Sequence, residues 1–149
     1  MTCRLFCAAK IRALVCIGAA LIFLAACDAA QQPPLGVADV IVREPLPGSG
    51  NTAAYMTLVN NSDIAIEITS VSSPQFAHVE MHETLVSENI ARMRPISRLQ
   101  VPRRSKVIFE PGGKHIMMMQ PLGSPSTVTL NFHAGAEILL TVTTTLEAR

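Results

Sequence analysis

The heptapeptide KHIMMMQ, residues 114–120, holds three of the chain's 7 methionines and one of its 4 histidines. If it is extended, residues two apart project from the same side, so His115 and Met117 point together from backbone positions about 6.6 Å apart. An imidazole nitrogen and a flexible thioether sulfur so placed can approach one soft metal ion. Met118 points the other way and reads as core. Met119 returns to the side of His115 one step further on, as an auxiliary ligand or an oxidation shield.

Two side chains rarely hold a metal selectively, so further donors must come from elsewhere. His78 and His82 lie in FAHVEMHETL (76–85), which contains good helix formers and as a helix would set the two histidines one turn apart. The zinc-protease pattern, however, needs Glu directly after the first histidine, and Val79 stands there. As a strand, the segment turns both histidines to one side but separates them by roughly 13 Å, so at most one is a primary ligand. Met81 then faces away from His82 and reads as core, as does Met56 in AAYMTLVN. His133, in NFHAGAE beside a turn, reads as a surface histidine.

The elements that must position these residues are strands. Short stretches rich in Val, Ile and Thr (ADVIVREP, TAAYMTLVN, IAIEITSVS, AHVEMHET, NIARMRPI, KVIFEP, HIMMMQ, STVTLNF and EILLTVTTTL) are punctuated by PGSGN, NNSD, PGGK and GSPS. Period-two patterning with frequent turns predicts an all-β sandwich or barrel.

The N-terminus is of another kind. Arg4, Lys10 and Arg12 precede an uncharged apolar run of 14 residues, Ala13 to Ala26. This is the pattern of a secretory signal, and the run is shorter than the roughly 20 residues a spanning helix needs. Its end, LAAC at 24–27, resembles a bacterial lipoprotein box with Cys27 as the lipidated residue; ordinary cleavage, for instance behind Ala29, is the alternative. Asp28 resembles a signal for retention in the inner membrane. The expected organisation is therefore a signal at 1–26, a Pro-bearing tether at 27–36 and one domain at 37–149 on the periplasmic side.

Cys3, Cys7 and Cys16 leave with the signal and Cys27 is the candidate anchor, so the domain has no disulfide. A protein needing soft ligands in an oxidising compartment can use thioether sulfur, which escapes thiol oxidation. Without the leader's three cations the charge balance is 9 basic against 11 acidic residues, which argues against a nucleic-acid partner.

His82, ten intervening residues, Met93, twenty-one intervening residues, His115, one residue and Met117 form a spacing that resembles the copper motif of the periplasmic PCuAC-type copper chaperones. AAYMTLVNNS, VEMHET, MRPI and EPGGKHIMMM are similar to that family's surrounding segments, and the likeness covers nearly all of residues 37–145. The resemblance implies a cupredoxin-like β-sandwich that binds Cu(I) through His82, Met93, His115 and Met117. It further implies delivery to the binuclear copper centre of a respiratory oxidase alongside a Sco-type protein. An imidazole and thioether donor set independently suits Cu(I), and a site without thiolate can release it. His78 and His133 are candidates for an additional Cu(II) site.

Other readings make different demands. An electron-transfer cupredoxin needs a cysteine ligand that the domain lacks. A hydrolase needs a nucleophile motif such as G-x-S-x-G, which is missing, so no enzyme activity is expected. A copper-tolerance or scavenging protein would use the same ligands, whereas a purely structural sandwich would bind no copper.

Overall fold

The computed structural model describes residues 32–45 and 48–148. The leader, Cys27 and the first half of the tether lie outside the described residues. Eleven strands occur among the described residues, and no helix: β1 (Leu35–Arg43), β2 (Asn51–Asn60), β3 (Ile66–Ile68), β4 (Ser70–Ser72), β5 (Phe76–Ser87), β6 (Ile90–Pro95), β7 (Leu99–Val101), β8 (Lys106–Phe109), β9 (Lys114–Pro121), β10 (Thr127–Ala134) and β11 (Glu137–Glu147). FAHVEMHETL is extended, as its flanks suggest, and lies within the 12 residues of β5.

Strand pairing runs β4-β10-β11-β1-β2-β9-β5-β6, with β8 also joined to β2, while β3 and β7 form a separate pair. β2 divides its length between two partners: Asn51 to Ala54 pair with β9, and Met56 to Val59 pair with β8. Strands from both ends of this series bury side chains in one core. Val128, Leu130 and Phe132 of β10 join Met81 of β5, Ile116 and Met118 of β9, and Ala54, Met56 and Leu58 of β2. The series therefore folds over on itself as a sandwich, which is how sheets with one apolar face bury it. The assignment of Met56, Met81 and Met118 to the core holds, at 2%, 3% and 0% exposure.

Two features refine the sequence expectation. IAIEITSVS is two strands because Thr69 leaves the ladder: its amide and hydroxyl both donate to the His133 carbonyl, and the hydroxyl accepts from the Gly135 amide. β3 consequently pairs with β7 and β4 with β10. β7 itself has only the alternation of Leu99 and Val101 to announce it, too short a pattern to read beside Pro102.

Asn60, 1% exposed, fastens the small pair to the rest. Its amide nitrogen donates to the carbonyls of Ile64 and Val101 at 2.8 and 2.9 Å, and its oxygen accepts from the amide and hydroxyl of Ser62. Every polar site of this buried side chain is used, so it fixes geometry without a desolvation penalty.

The β5–β6 hairpin closes through Glu88 and Asn89, both left-handed at φ 53° and 61°, with Ser87 paired to Ile90. Two such residues define a type I′ turn, whose preferred sequence is Asn-Gly. Glu88 accepts this conformation at a cost of about 1 kcal/mol. Replacing the pair through Glu88→Asn and Asn89→Gly should stabilise the protein by about 1 kcal/mol, measured by denaturant unfolding. Loss of stability would show that this turn does not set the hairpin's register.

Candidate metal centre

The site is built on the β6-β5-β9 region. β5 and β9 pair with His82 opposite His115, Glu80 opposite Met117 and His78 opposite Met119. Between these rows Met81 and Val79 stand opposite Ile116 and Met118, and three of those four side chains are buried. The core-facing residues thus dictate which side the donors take. Across the hairpin, Met93 is opposite Thr84, two residues beyond His82 on β5. Its position follows from the Glu88–Asn89 turn, because loop length fixes hairpin register.

The two imidazoles meet edge to face, with ring centroids 5.8 Å apart and planes at 76°. Each has one nitrogen committed. His82 Nε2 lies 2.7 Å from Glu80 Oε2, and His115 Nδ1 lies 3.2 Å from the Gly113 carbonyl. A carboxylate and a carbonyl only accept, so these nitrogens carry the protons of the neutral rings. The lone pairs are left on His82 Nδ1 and His115 Nε2. His82 Nδ1 is buried and has no hydrogen-bond partner among the described residues. A buried nitrogen left so costs about 1–3 kcal/mol, a penalty that a bound ion would remove.

His115, Met93 and Met117 line a common open cleft of ≈270 Å³, bordered by Ala53, Tyr55 and Thr84. Ala53 stands opposite Met117 on the β2 side and leaves its thioether room. His115 is 7% exposed and Met93 53%, so the cleft runs from a sheltered ring to a sulfur at the surface. The turn before β9 supports the arrangement. Gly112, at φ 81°, lets the chain reverse, and the Gly113 carbonyl accepts both the Thr84 amide and His115 Nδ1. One backbone oxygen therefore ties β5 to the ring.

Among the described residues no three His, Cys, Asp or Glu side chains converge on a metal position. Of the four motif residues, Met93, His115 and Met117 share the cleft, while His82 meets His115 ring to ring; imidazole and thioether are donor types that suit a soft ion. His78 lies four residues along β5 from His82, and His133 on β10 is engaged with Ser72, Nε2 to Oγ 2.8 Å. Neither belongs to the His82–His115 pair. Glu80 was not among the residues singled out by sequence, although its position two before His82 places it on the same side of the strand.

The tautomers make a direct prediction. Long-range 1H–15N NMR of the neutral rings should show Nε2–H on His82 and Nδ1–H on His115, and Glu80→Ala should abolish the preference at His82 alone. Matching tautomers in the two rings would contradict this site geometry.

Several known proteins are similar to this chain in sequence or fold. The family model described as "Putative lipoprotein LpqE-like" matches residues 35–144. A relative from Leifsonia xyli subsp. xyli, likewise named as a lipoprotein, is 32% identical over 95 residues, covering 60% of this chain and 57% of its own. An uncharacterized protein from Rickettsia prowazekii is 26% identical over 92 residues, covering 61% of this chain and 47% of its own. The chain therefore spans about half the length of the curated relatives it matches. Among solved structures, CuI-DR1885 from Deinococcus radiodurans is 28% identical with a TM-score of 0.60, covering 80% of this chain and 83% of that one. The copper-bound PCuAC domain from PmoF2 has a TM-score of 0.60 at 23% identity, covering 78% and 94%, a likeness of fold. The cupredoxin-like sandwich that the motif implied is thus the fold of this chain. On the family match, which extends from the start of β1 nearly to the end of β11, the chain belongs to the LpqE-like lipoprotein family, a family of PCuAC-like domains.

Proposed function

We propose that this protein is a cell-envelope Cu(I) metallochaperone that carries copper on His82, Met93, His115 and Met117. The observation that carries this reading is the facing His82–His115 pair, in which each ring's outer nitrogen is engaged and a lone pair remains for an ion. The likeness to a Cu(I)-bound protein at 28% identity supports it. Glu80 and the Gly113 carbonyl would act as outer partners that orient the rings and raise their donor strength. Two thioethers without thiolate suit the soft ion and leave it exchangeable.

The recipient on this reading is a respiratory oxidase copper centre, with a Sco-type protein as co-worker, on the periplasmic side of the inner membrane. Anchoring through lipidated Cys27 supports delivery over bulk storage, because it confines a single-site carrier to the surface where its recipient sits. Catalysis has no role in the reading.

Competition against a Cu(I) chelator tests the ligand set. Met93→Leu with Met117→Leu retains side-chain volume, so it should cost under about 1.5 kcal/mol per site. Cu(I) affinity should nevertheless fall more than about 100-fold, beyond what loss of an outer partner alone produces. His82→Ala and His115→Ala should weaken binding likewise, while Met118→Leu, in the core, should leave it unchanged. Wild-type affinity in the double Leu variant would refute the assignment.

The anchor has its own test. Cys27→Ser should yield unprocessed or soluble protein on fractionation, with copper binding by the purified domain unaltered. An unlipidated mature terminus in the wild type, found by mass measurement, would rule out the lipoprotein reading.

A further inference from the structure

We infer that His78 and Met119 form a second, weaker Cu(I) site on the same side of β5 and β9. They are register partners, as His82 and His115 are, and they lie on the same alternation as the proposed ligands. Directly opposed side chains on antiparallel strands have Cβ atoms about 5 Å apart, within which an imidazole and a flexible thioether can converge on one ion. Burial agrees with this orientation. His78 is exposed and Met119 partly so, whereas their core-facing neighbours Met118 and Ile116 are at 0%.

His78 is also uncommitted. Among the described residues it has no hydrogen-bond or ion-pair partner, in contrast to His133, held by Ser72, and to His82, held by Glu80. It borders an open cleft of ≈260 Å³ with Ser72, Ser73 and Glu80, so an ion could reach its ring from solvent, while Met119, opposite it on β9, lies outside that cleft's lining. Two donors satisfy a soft monovalent ion far less completely than four, which makes the pair a transient stop.

The three successive rows His82–His115, Glu80–Met117 and His78–Met119 then form a continuous stripe of metal-donor side chains. Its ends are roughly 13 Å apart along the strand. An ion captured at His78 and Met119 would have Met117 as the next sulfur on its way to the four-residue site. This second site rests on the copper reading of the first.

The test is uptake by the purified chain under two Cu(I) buffers, one weak and one strong. Wild type should take two equivalents from the weak buffer and one from the strong, the second bound about tenfold or more weakly because it has half the donors. His78→Ala and Met119→Leu should each take one from either buffer. The Met93→Leu, Met117→Leu variant should keep the weak equivalent, and NMR should show the His78 ring and the Met119 methyl shifting with it. A wild type that takes one tight equivalent from both buffers would overturn the second site alone. So would a second equivalent that persists in the combined His78→Ala, Met119→Leu variant. No uptake from either buffer would overturn both sites.

Discussion

The antiparallel register of β5 on β9 is the constraint on which the rest depends. It sets His82 against His115 and, on the same side, Glu80 against Met117 and His78 against Met119. A slip of β5 by one residue against β9 would send Met81 to the surface and His82 into the core. The core therefore specifies the site: burying Ile116 and Met118 completely is favourable only in the register that turns the donors outward. Three consecutive methionines make sense in this light. The middle one fills the interior and its neighbours are left for other chemistry, so one residue type serves both sides of a strand.

Alternation made much of this legible in advance. Met118 was separable from Met117 and Met119 by parity alone, and Met81 from His82 by the same argument, without knowledge of which strands would pair. Pairing partners are long-range and leave no local trace, so the opposition of His82 to His115, 33 residues apart, was available only through the motif spacing. Glu80 was missed because its importance lies in an acceptor's distance from a ring nitrogen, 2.7 Å, which no pattern of residue types encodes. β7 escaped for a different reason. Three residues are too few for periodicity to stand out, and its stability comes from β3 and from the Asn60 amide bound to the Val101 carbonyl.

Second-row contacts give the two rings unequal support. His115 is held by a backbone carbonyl in a turn that also binds the Thr84 amide, so its orientation is part of the fold. His82 is held by Glu80, a side chain 52% exposed. A backbone carbonyl moves only with its turn, whereas an exposed carboxylate moves with its own side chain, so the two rings differ in how firmly their protonated nitrogens are held.

Met93 extends this gradient. Its strand pairs on one side only, all six residues of β6 are exposed, and Met93 as a whole is 53% accessible. A buried edge would give tighter binding by excluding water and locking the sulfur, but it would also bar a second protein from the ion. On the proposed reading, the arrangement runs from His115, anchored by the turn, through His82 to Met93 at the rim. An incoming ligand could then displace Met93 first without opening the core. Exchange would proceed by replacing donors one at a time from the exposed end, since each replacement leaves the remaining donors in place and avoids a bare ion in water. The edge position of β6, a liability for aggregation in an ordinary sandwich, is on this argument what lets the site hand over its cargo.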